Sequence, residues 1–159
     1  MWAGDPRRSQ PAAHAMDRRR SITLGLFSRL AEVRGVSFVS LQKGEAAAQT
    51  RSPPPGLTIH DWTDELGDFA DTAALVESLD LVISSDTSVP HLAGALGKPV
   101  WLLLHRFDAC WRWLQERPDS PWYSTMRLFR QDSQGDWTNV IRRVAKALAQ
   151  LVADRAATR

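Results

Sequence analysis

Residues Asp80 to Leu104 read DLVISSDTSVPHLAGALGKPVWLLL, and this stretch decides the fold. The run from Leu81 to Ile83 is short, apolar and β-branched, which predicts a strand buried on both faces of a parallel sheet. Small polar residues end that strand, and a helix follows, with Ser88 as its predicted N-cap and Gly97 at its end. Val100 to Leu104 then predicts a second buried strand. A strand, a turn, a helix and a further strand make a βαβ unit.

The turn of this unit contains four candidate functional residues, which are Asp86, Thr87, Ser88 and His91. In open α/β sheets, ligands bind beyond the carboxyl ends of the strands, where helix N-termini present unpaired N–H groups to phosphates. Hydroxyls and an imidazole hydrogen-bond phosphate or ribose oxygens, whereas Asp86 suits a ribose hydroxyl or a backbone amide. The alternative is that Asp86 and Ser88 only cap the helix and that His91 faces solvent. Residue types alone leave both interpretations open.

The composition is that of an ordinary globular protein. A chain of 159 residues is long enough for one packed core and short for two domains. The 20 basic and 18 acidic residues give a net charge of only +2, and the basic residues do not interleave with aromatic ones, so nucleic acid is not an expected partner. The single cysteine, Cys110, excludes an intrachain disulfide and favours a reducing, cytoplasmic compartment. No apolar run approaches the roughly twenty residues of a membrane span, and no signal peptide is recognised.

The rest of the chain alternates between helical and strand patterns. The predicted elements are a helix at 21–35, a strand at 37–41, a short helix at 45–49, a strand at 57–60, a helix at 71–79 capped by Asp71 or Thr72, a strand at 126–129 and a helix at 137–153 capped by Thr138. Residues 7–20 are basic and irregular, which predicts a mobile loop. The acidic residues 61–71 lack the spacing of a calcium loop, so no metal site is predicted.

The segment from His105 to Tyr123 is unusually rich in aromatic and guanidinium groups. One interpretation is a wall of a binding site, with Arg112 and Trp113 as ligand contacts, because aromatic rings stack on bases or sugars and arginine binds phosphate. The other is a satellite apolar cluster that holds a long loop on the domain. Both interpretations stay open for this segment.

Several motifs together resemble one family. They are, in chain order, WAGDP from Trp2, DRRRSI from Asp17, SLQKG from Ser40, DELGDFADTAALVESLDLVIS from Asp64, DTSVPHLAGALGKPVW from Asp86 and WRWLQERPDSPWYSTMRLFRQ from Trp111. The chain resembles glycosyltransferase family 9, the heptosyltransferase-like group, and the glycosyltransferase-like domain that follows tetratricopeptide repeats in many bacterial proteins. The resemblance implies a Rossmann-like parallel sheet flanked by helices, the C-terminal, donor-binding half of a GT-B fold. Residues 1–159 would form a single nucleotide-sugar-binding domain, with its first strand truncated before Trp2 and the N-terminal acceptor domain absent.

The same resemblance implies a function and a site. The implied reaction is transfer of a sugar from a nucleoside-diphosphate sugar to an acceptor, with no cofactor beyond that donor and no metal. The implied nucleotide-sugar site consists of Gly4, Lys43, Asp86, Thr87, Ser88, His91, Arg112 and Trp113. Lys43 would neutralise the pyrophosphate or contact the base, although an ordinary surface lysine is the simpler interpretation. The catalytic base would come from the missing half, so we expect the chain to be inactive alone. The alternative function is a non-catalytic protein-interaction module with a vestigial nucleotide site, which docks onto tetratricopeptide repeats or another partner through an exposed sheet edge.

Overall fold

The computed structural model describes residues 1–107 and 109–158 of the chain. The strands within these residues are β1 (Phe38–Val39), β2 (Ile59–His60), β3 (Val82–Ser85), β4 (Val100–Leu104) and β5 (Met126–Arg130). The α-helices are α1 (Pro11–Arg20), α2 (Phe69–Glu77), α3 (Ser88–Ala95) and α4 (Trp137–Ala157). Segments of 3₁₀ helix lie at Leu24–Glu32, Glu45–Arg51, Thr63–Glu65 and Trp111–Trp113.

The strands form two parallel sheets. Strands β1 and β2 pair in one, and β3, β4 and β5 pair in that order in the other. Strand β4 is central and all five of its residues are buried, as expected of a continuous apolar run covered on both faces. The predicted α/β architecture of parallel strands with flanking helices is therefore confirmed.

The N-terminal segment Met1–Ala3 lies between the two sheets. On one side the Met1 amino group donates to the Ile83 carbonyl at 3.0 Å, and the Ser85 amide donates to the Met1 carbonyl at 3.1 Å. On the other side the amides of Trp2 and Ala3 donate to the side-chain oxygen of Gln42 at 3.0 and 2.9 Å. The Gln42 side-chain nitrogen donates in turn to the Ala3 carbonyl at 3.0 Å. The buried side chain of Gln42 therefore makes the backbone hydrogen bonds that a neighbouring strand would otherwise make to Trp2 and Ala3.

Two apolar layers cover the faces of the larger sheet. The first layer joins the 3₁₀ helix Leu24–Glu32 and helix α4 to the side of the sheet that contains Trp101 and Leu103. The second joins α2 and α3 to the opposite side, which contains Val100 and Leu102. Alternate residues of β4 thus belong to different layers, which is the two-residue period of a strand.

Several helix boundaries differ from the sequence-based expectation. Helix α2 begins after Asp68, whose carboxylate accepts from the amides of Ala70 and Asp71, while the Asp71 carboxylate reaches back to the Asp68 amide. This reciprocal capping box makes Asp68 the cap rather than Asp71 or Thr72. Helix α4 is capped by Asp136, whose side chain accepts from the Asn139 amide, and not by Thr138.

Two other segments also depart from the expected pattern. Residues 11–20, expected to belong to an irregular loop, form helix α1, because Pro11 fits the first turn and three alanines follow within it. Residues 24–32, expected to belong to an α-helix that starts at Ser21, form a 3₁₀ helix instead.

Because the Gln42 side chain bonds the backbone of Trp2 and Ala3, we expect its substitution to destabilise the protein strongly. Gln42→Leu keeps the volume but leaves the buried amides of Trp2 and Ala3 without acceptors, which costs about 1–3 kcal/mol for each unpaired group. We expect the free energy of unfolding in urea to fall by about 2–4 kcal/mol.

Gln150→Leu is the matched control, because Gln150 lies on the exposed side of α4 and bonds only the side chain of Asp154. It should change stability by about 0.5 kcal/mol or less. Equal losses in the two variants would show that Gln42 does not hold the N-terminal segment.

Candidate functional site

The turn between β3 and α3 opens at the carboxyl edge of the larger sheet. Thr87 occupies the N-cap position of α3, but its side chain makes no capping hydrogen bond. Its hydroxyl turns inward instead and donates to the Ser85 carbonyl and the Met1 sulfur, each at 3.3 Å. Ser88 is exposed at the first helical position. The first turn of α3 therefore presents the amides of Ser88 and Val89 without a capping side chain, while Pro90 in the same turn has no amide N–H.

His91 sits one turn into α3 and belongs to an aromatic cluster. Its ring stacks on Trp113 with the centroids 5.0 Å apart, and its Nδ1 lies 3.1 Å from the Tyr123 hydroxyl oxygen. Trp113 is fully buried, so its ring packs against His91 on the interior side and has no exposed face for a ligand. Gly94 is required beside this cluster, because a Cβ there would lie 2.6 Å from the Tyr123 ring.

Burial and two opposed charges set the protonation of His91. Partial burial is the main cause that lowers the pKa of His91 below its usual 6.5. The negative charge of Asp86 raises this pKa, and the positive charge of Arg112 lowers it, each to a smaller extent. The imidazole is therefore neutral at pH 7, with one nitrogen to donate and one to accept.

A network of hydrogen bonds joins helix α1 to the turn. The buried Asp17 carboxylate accepts from the Arg20 Nε and from the Ser21 hydroxyl, both at 3.1 Å. The Arg20 guanidinium also donates to the Asp86 carbonyl at 2.9 Å. Gly4 lies against this network, since a Cβ there would come within 2.2 Å of the Asp17 carboxylate and 2.5 Å of the Arg20 guanidinium. Gly4 thus makes room for Asp17 and Arg20 beside the turn.

Two of the predicted site residues make their contacts elsewhere. The Lys43 ammonium donates to the carbonyls of Thr63 and Leu66, in the loop that follows β2. The guanidinium of Arg112 is exposed, lies 4.7 Å from the centre of the Trp111 ring and donates to the Cys110 sulfur at 3.1 Å. Lys43 therefore holds a neighbouring loop, and Arg112 acts on the turn only through its charge.

The predicted site residues between Asp86 and His91 lie close together in the structure, because they belong to one chain segment. Asp86, Thr87, Ser88 and His91 share the turn, and Trp113 joins them through its stacking contact. Sequence reasoning missed Arg20 and Tyr123, which contact Asp86 and His91 from elements 66 and 32 residues away. The only available signal was that Tyr123 is the single tyrosine of the chain and lies among the tryptophans of the 105–123 segment.

A second surface feature lies on the loop that follows β4. We call it the aromatic surface; it consists of Phe107, Trp111, Leu114 and Trp122, each between 49% and 66% exposed. The rings of Trp111 and Trp122 meet edge to face at 5.8 Å, and the Trp122 indole N–H donates to the Arg112 carbonyl at 3.0 Å. This arrangement fixes large apolar groups in a solvent-facing position. The segment is thus partly a buried cluster around Trp113 and partly an exposed surface.

Two features are absent from the described part of the chain. None of its helices combines the length and the apolar character of a membrane span. Within residues 1–107 and 109–158, no three His, Cys, Asp or Glu side chains converge as they would around a metal ion.

The parallel strands, the flanking helices and the polar turn at the carboxyl edge place the chain among α/β proteins. Among curated proteins it is similar to Protein FlbA of Caulobacter vibrioides, with 32% identity over 124 residues. The matched region is 75% of this chain and 20% of the relative, so the similarity concerns about a fifth of that longer protein. No protein-family model matches the chain. No solved structure matches it either.

These comparisons overturn the glycosyltransferase interpretation. The relative is named Protein FlbA and not a glycosyltransferase, and no family model connects the chain with glycosyltransferase family 9. Assignment to the glycosyltransferases, and sugar transfer as the function, were therefore wrong. The motifs that carried the resemblance have structural roles here: Gly4 makes room for Asp17 and Arg20, and Trp113 fills the core.

The electrostatics of His91 can be checked by its titration. We expect the imidazole proton shifts in NMR spectra to report a pKa below 6.5, because partial burial opposes the charged form. Asp86→Asn should lower this pKa further and Arg112→Gln should raise it, since the two charges act in opposite directions. Because the unfolded chain binds the proton more readily, His91 should make the protein less stable as the pH falls below about 6.5.

A His91 pKa at or above 6.5 would contradict this account. A change of the His91 pKa in the same direction in Asp86→Asn and Arg112→Gln would also contradict it, because removing opposite charges should move the pKa in opposite directions.

Proposed function

We propose that this chain is a binding module whose ligand is a small anionic molecule, with a nucleoside diphosphate as the representative compound. The proposed site is the turn between β3 and α3. The observation that carries the proposal is the first turn of α3, where Thr87 turns its hydroxyl inward and leaves the helix without a side-chain cap. Uncapped amides and the positive end of the helix dipole favour an oxyanion.

The surrounding side chains support this choice of ligand. The exposed Ser88 hydroxyl is placed to donate to a phosphate oxygen. The half-buried Asp86 repels a phosphate but accepts from a sugar hydroxyl, so a nucleoside diphosphate uses both kinds of group. His91 is neutral at pH 7 and adds a hydrogen-bonding nitrogen without a charge.

The predicted contacts of the other site residues are revised in this proposal. Thr87 contributes its backbone, because its hydroxyl faces Met1 and Ser85. Trp113 positions His91, and Gly4 makes room for the Arg20 side chain that holds the turn. Cys110 is a free thiol in the described structure, and we propose a reducing, cytoplasmic setting for the module.

A substitution at Ser88 separates anion binding from folding. Ser88→Asp places a carboxylate in the first turn of α3, where it occupies the proposed anion position and interacts favourably with the helix dipole. We expect it to abolish the calorimetric signal of UDP, GDP and ADP binding while raising the free energy of unfolding by about 0.3–1 kcal/mol.

Ser88→Asn is the matched control, since it has a similar size and no charge. It should retain nucleotide binding. The proposal fails if the wild-type protein gives no binding heat with any of the three nucleotides while its urea unfolding stays cooperative.

The aromatic surface favours a second function, namely protein binding. Two of its four exposed apolar side chains, Trp111 and Trp122, contact each other edge to face, and exposed aromatic residues of this kind are enriched in protein interfaces. The exposed guanidinium of Arg112 beside Trp111 adds positive charge, so we propose acidic peptides with an apolar anchor as the class of partner.

A displayed library of acidic peptides tests this second function. We expect peptides that bind the wild-type protein and lose at least about tenfold in affinity with Trp111→Ser and Trp122→Ser combined, because hot-spot aromatics typically contribute 2 kcal/mol or more. Both side chains are exposed, so the combined variant should keep its melting temperature. Selected peptides that bind both proteins equally would argue against the aromatic surface as their site.

A further inference from the structure

A small cavity lies at the carboxyl ends of β4 and β5. Arg130 is the last residue of β5 and pairs with Leu104, the last residue of β4, two positions before Arg106. Both arginines line the cavity, which has a volume of about 190 Å³. The other lining residues that the structure describes come from the loop after β4, and they include Cys110, Trp111, Leu114 and Gln115. None of the described lining residues is acidic, so these walls bring two cationic groups together without a carboxylate.

The guanidinium of Arg130 is held by backbone acceptors and still has donors to offer. Its Nη2 group donates to the carbonyls of Trp113 and Leu114. These bonds fix the guanidinium against the loop that forms the rest of the cavity wall. Within residues 1–107 and 109–158, its Nε and Nη1 groups form no hydrogen bond. Arg130 is therefore a preorganised donor, with N–H groups left for a further acceptor.

The charge of Arg130 has no counter-ion in the part of the chain that the structure describes. The exposed Arg155, for comparison, forms an ion pair with Asp80 at 2.8 Å. Arg130 is half-buried and forms no ion pair with the described residues. Burial lowers the pKa of Arg130, because it removes water from the charged form. An anion bound in the cavity would offset this cost of burying the charge.

Arg106 supplies a second guanidinium from a backbone position that is fixed. Its amide donates to the side-chain oxygen of Gln131 at 3.3 Å, and the same oxygen accepts from the Gly135 amide at 3.1 Å. Its guanidinium is exposed and lies 5.3 Å from the centre of the Phe107 ring. It forms no ion pair with the described residues. The chain therefore anchors Arg106 at the end of β4 and leaves its charged group available to a ligand.

The charges, the apolar side and the size of the cavity together fit a small phosphate monoester. Such a group carries about −1.5 to −2 charges at pH 7, whereas a carboxylate is a monoanion, so two guanidinium groups favour the phosphate. Trp111 and Leu114 are 66% and 49% exposed and give the cavity an apolar side. Its volume of about 190 Å³ is below the roughly 300–1,000 Å³ of pockets for drug-sized molecules, so the ligand is small.

We propose that this cavity binds a small phosphate monoester with an apolar substituent. The phosphate oxygens accept from the guanidinium groups of Arg106 and Arg130, and the substituent packs against Trp111 and Leu114. The site borders the aromatic surface, with which it shares Trp111 and Leu114. It is separate from the turn between β3 and α3, so this inference does not rest on the nucleotide site proposed there.

Phenyl phosphate is the probe, and the test uses the chain of 159 residues. Cys110 is the single cysteine and lines the cavity, so its alkylation by iodoacetamide reports whether the cavity is filled. We expect saturable binding in calorimetry, and alkylation that slows with the same dependence on phenyl phosphate concentration. Inorganic phosphate lacks the ring and benzoate lacks the second negative charge, so each should bind at least about tenfold more weakly.

Matched protein variants locate the phosphate. Arg106→Gln removes one of the two charges at an exposed position, so it should weaken phenyl phosphate binding by about tenfold or more while the melting temperature stays the same. Arg34→Gln removes the same charge from an exposed residue outside the cavity lining and should leave binding within about twofold. Ser88→Asp, which blocks the turn between β3 and α3, should also leave phenyl phosphate binding within about twofold.

The proposal is overturned if a protein that unfolds cooperatively shows no saturable binding of phenyl phosphate. Binding that leaves the alkylation of Cys110 unchanged, or equal affinities of the Arg106 and Arg34 variants, would place the ligand outside the cavity. Equal binding of benzoate would show that the site does not prefer a dianion. Loss of phenyl phosphate binding in Ser88→Asp would assign the phosphate to the turn, whereas absence of nucleotide binding alone would contradict only the nucleotide proposal.

Discussion

The structure depends on the side-chain amide of Gln42, which bridges two sheets that do not otherwise pair. Its oxygen accepts from two consecutive amides and its nitrogen donates to the Ala3 carbonyl and to the Lys43 carbonyl. A buried amide with all of these groups satisfied is worth far more than one with a partner missing. The segment Met1–Ala3 is held between β1 and β3 by this side chain on one flank and by β3 on the other. The position of the polar turn follows from that arrangement.

Much of the architecture could be predicted because its signals are local. The run VWLLL at Val100–Leu104 is apolar at every position and forms a strand that is buried at every position. The amphipathic period of residues 137–153 likewise predicts a helix, and the apolar residues Val140, Ile141 and Val144 are buried in α4. Capping positions were less predictable, because several acidic or hydroxyl residues near each helix start suit the role. Asp68 and Asp71 both bond backbone amides at the start of α2, and Asp68 occupies the N-cap while Asp71 is the third helical residue of the capping box.

The candidate site was predictable only within a single chain segment. The turn residues Asp86 to His91 could be assigned together because they follow a strand and begin a helix. Arg20 and Tyr123 reach the same place from distant segments, and no periodicity in the sequence indicates which side chains of separate loops will meet. The resemblance to a glycosyltransferase failed for a related reason. Glycines, prolines and small polar residues at strand ends are demanded by many parallel α/β sheets, so motifs built from them specify geometry more strongly than chemistry.

The contact between Arg20 and the Asp86 carbonyl has a mechanical consequence. Arg20 is the last residue of α1, and its guanidinium bonds both Asp17 of the same helix and the Asp86 carbonyl in the loop after β3. A rotation of α1 by even a fraction of a turn must pull on the backbone at Asp86 or break the bond. Arg18 and Arg19 are exposed on the same helix, so a contact made there is linked to the loop at Asp86 through the single hydrogen bond of Arg20.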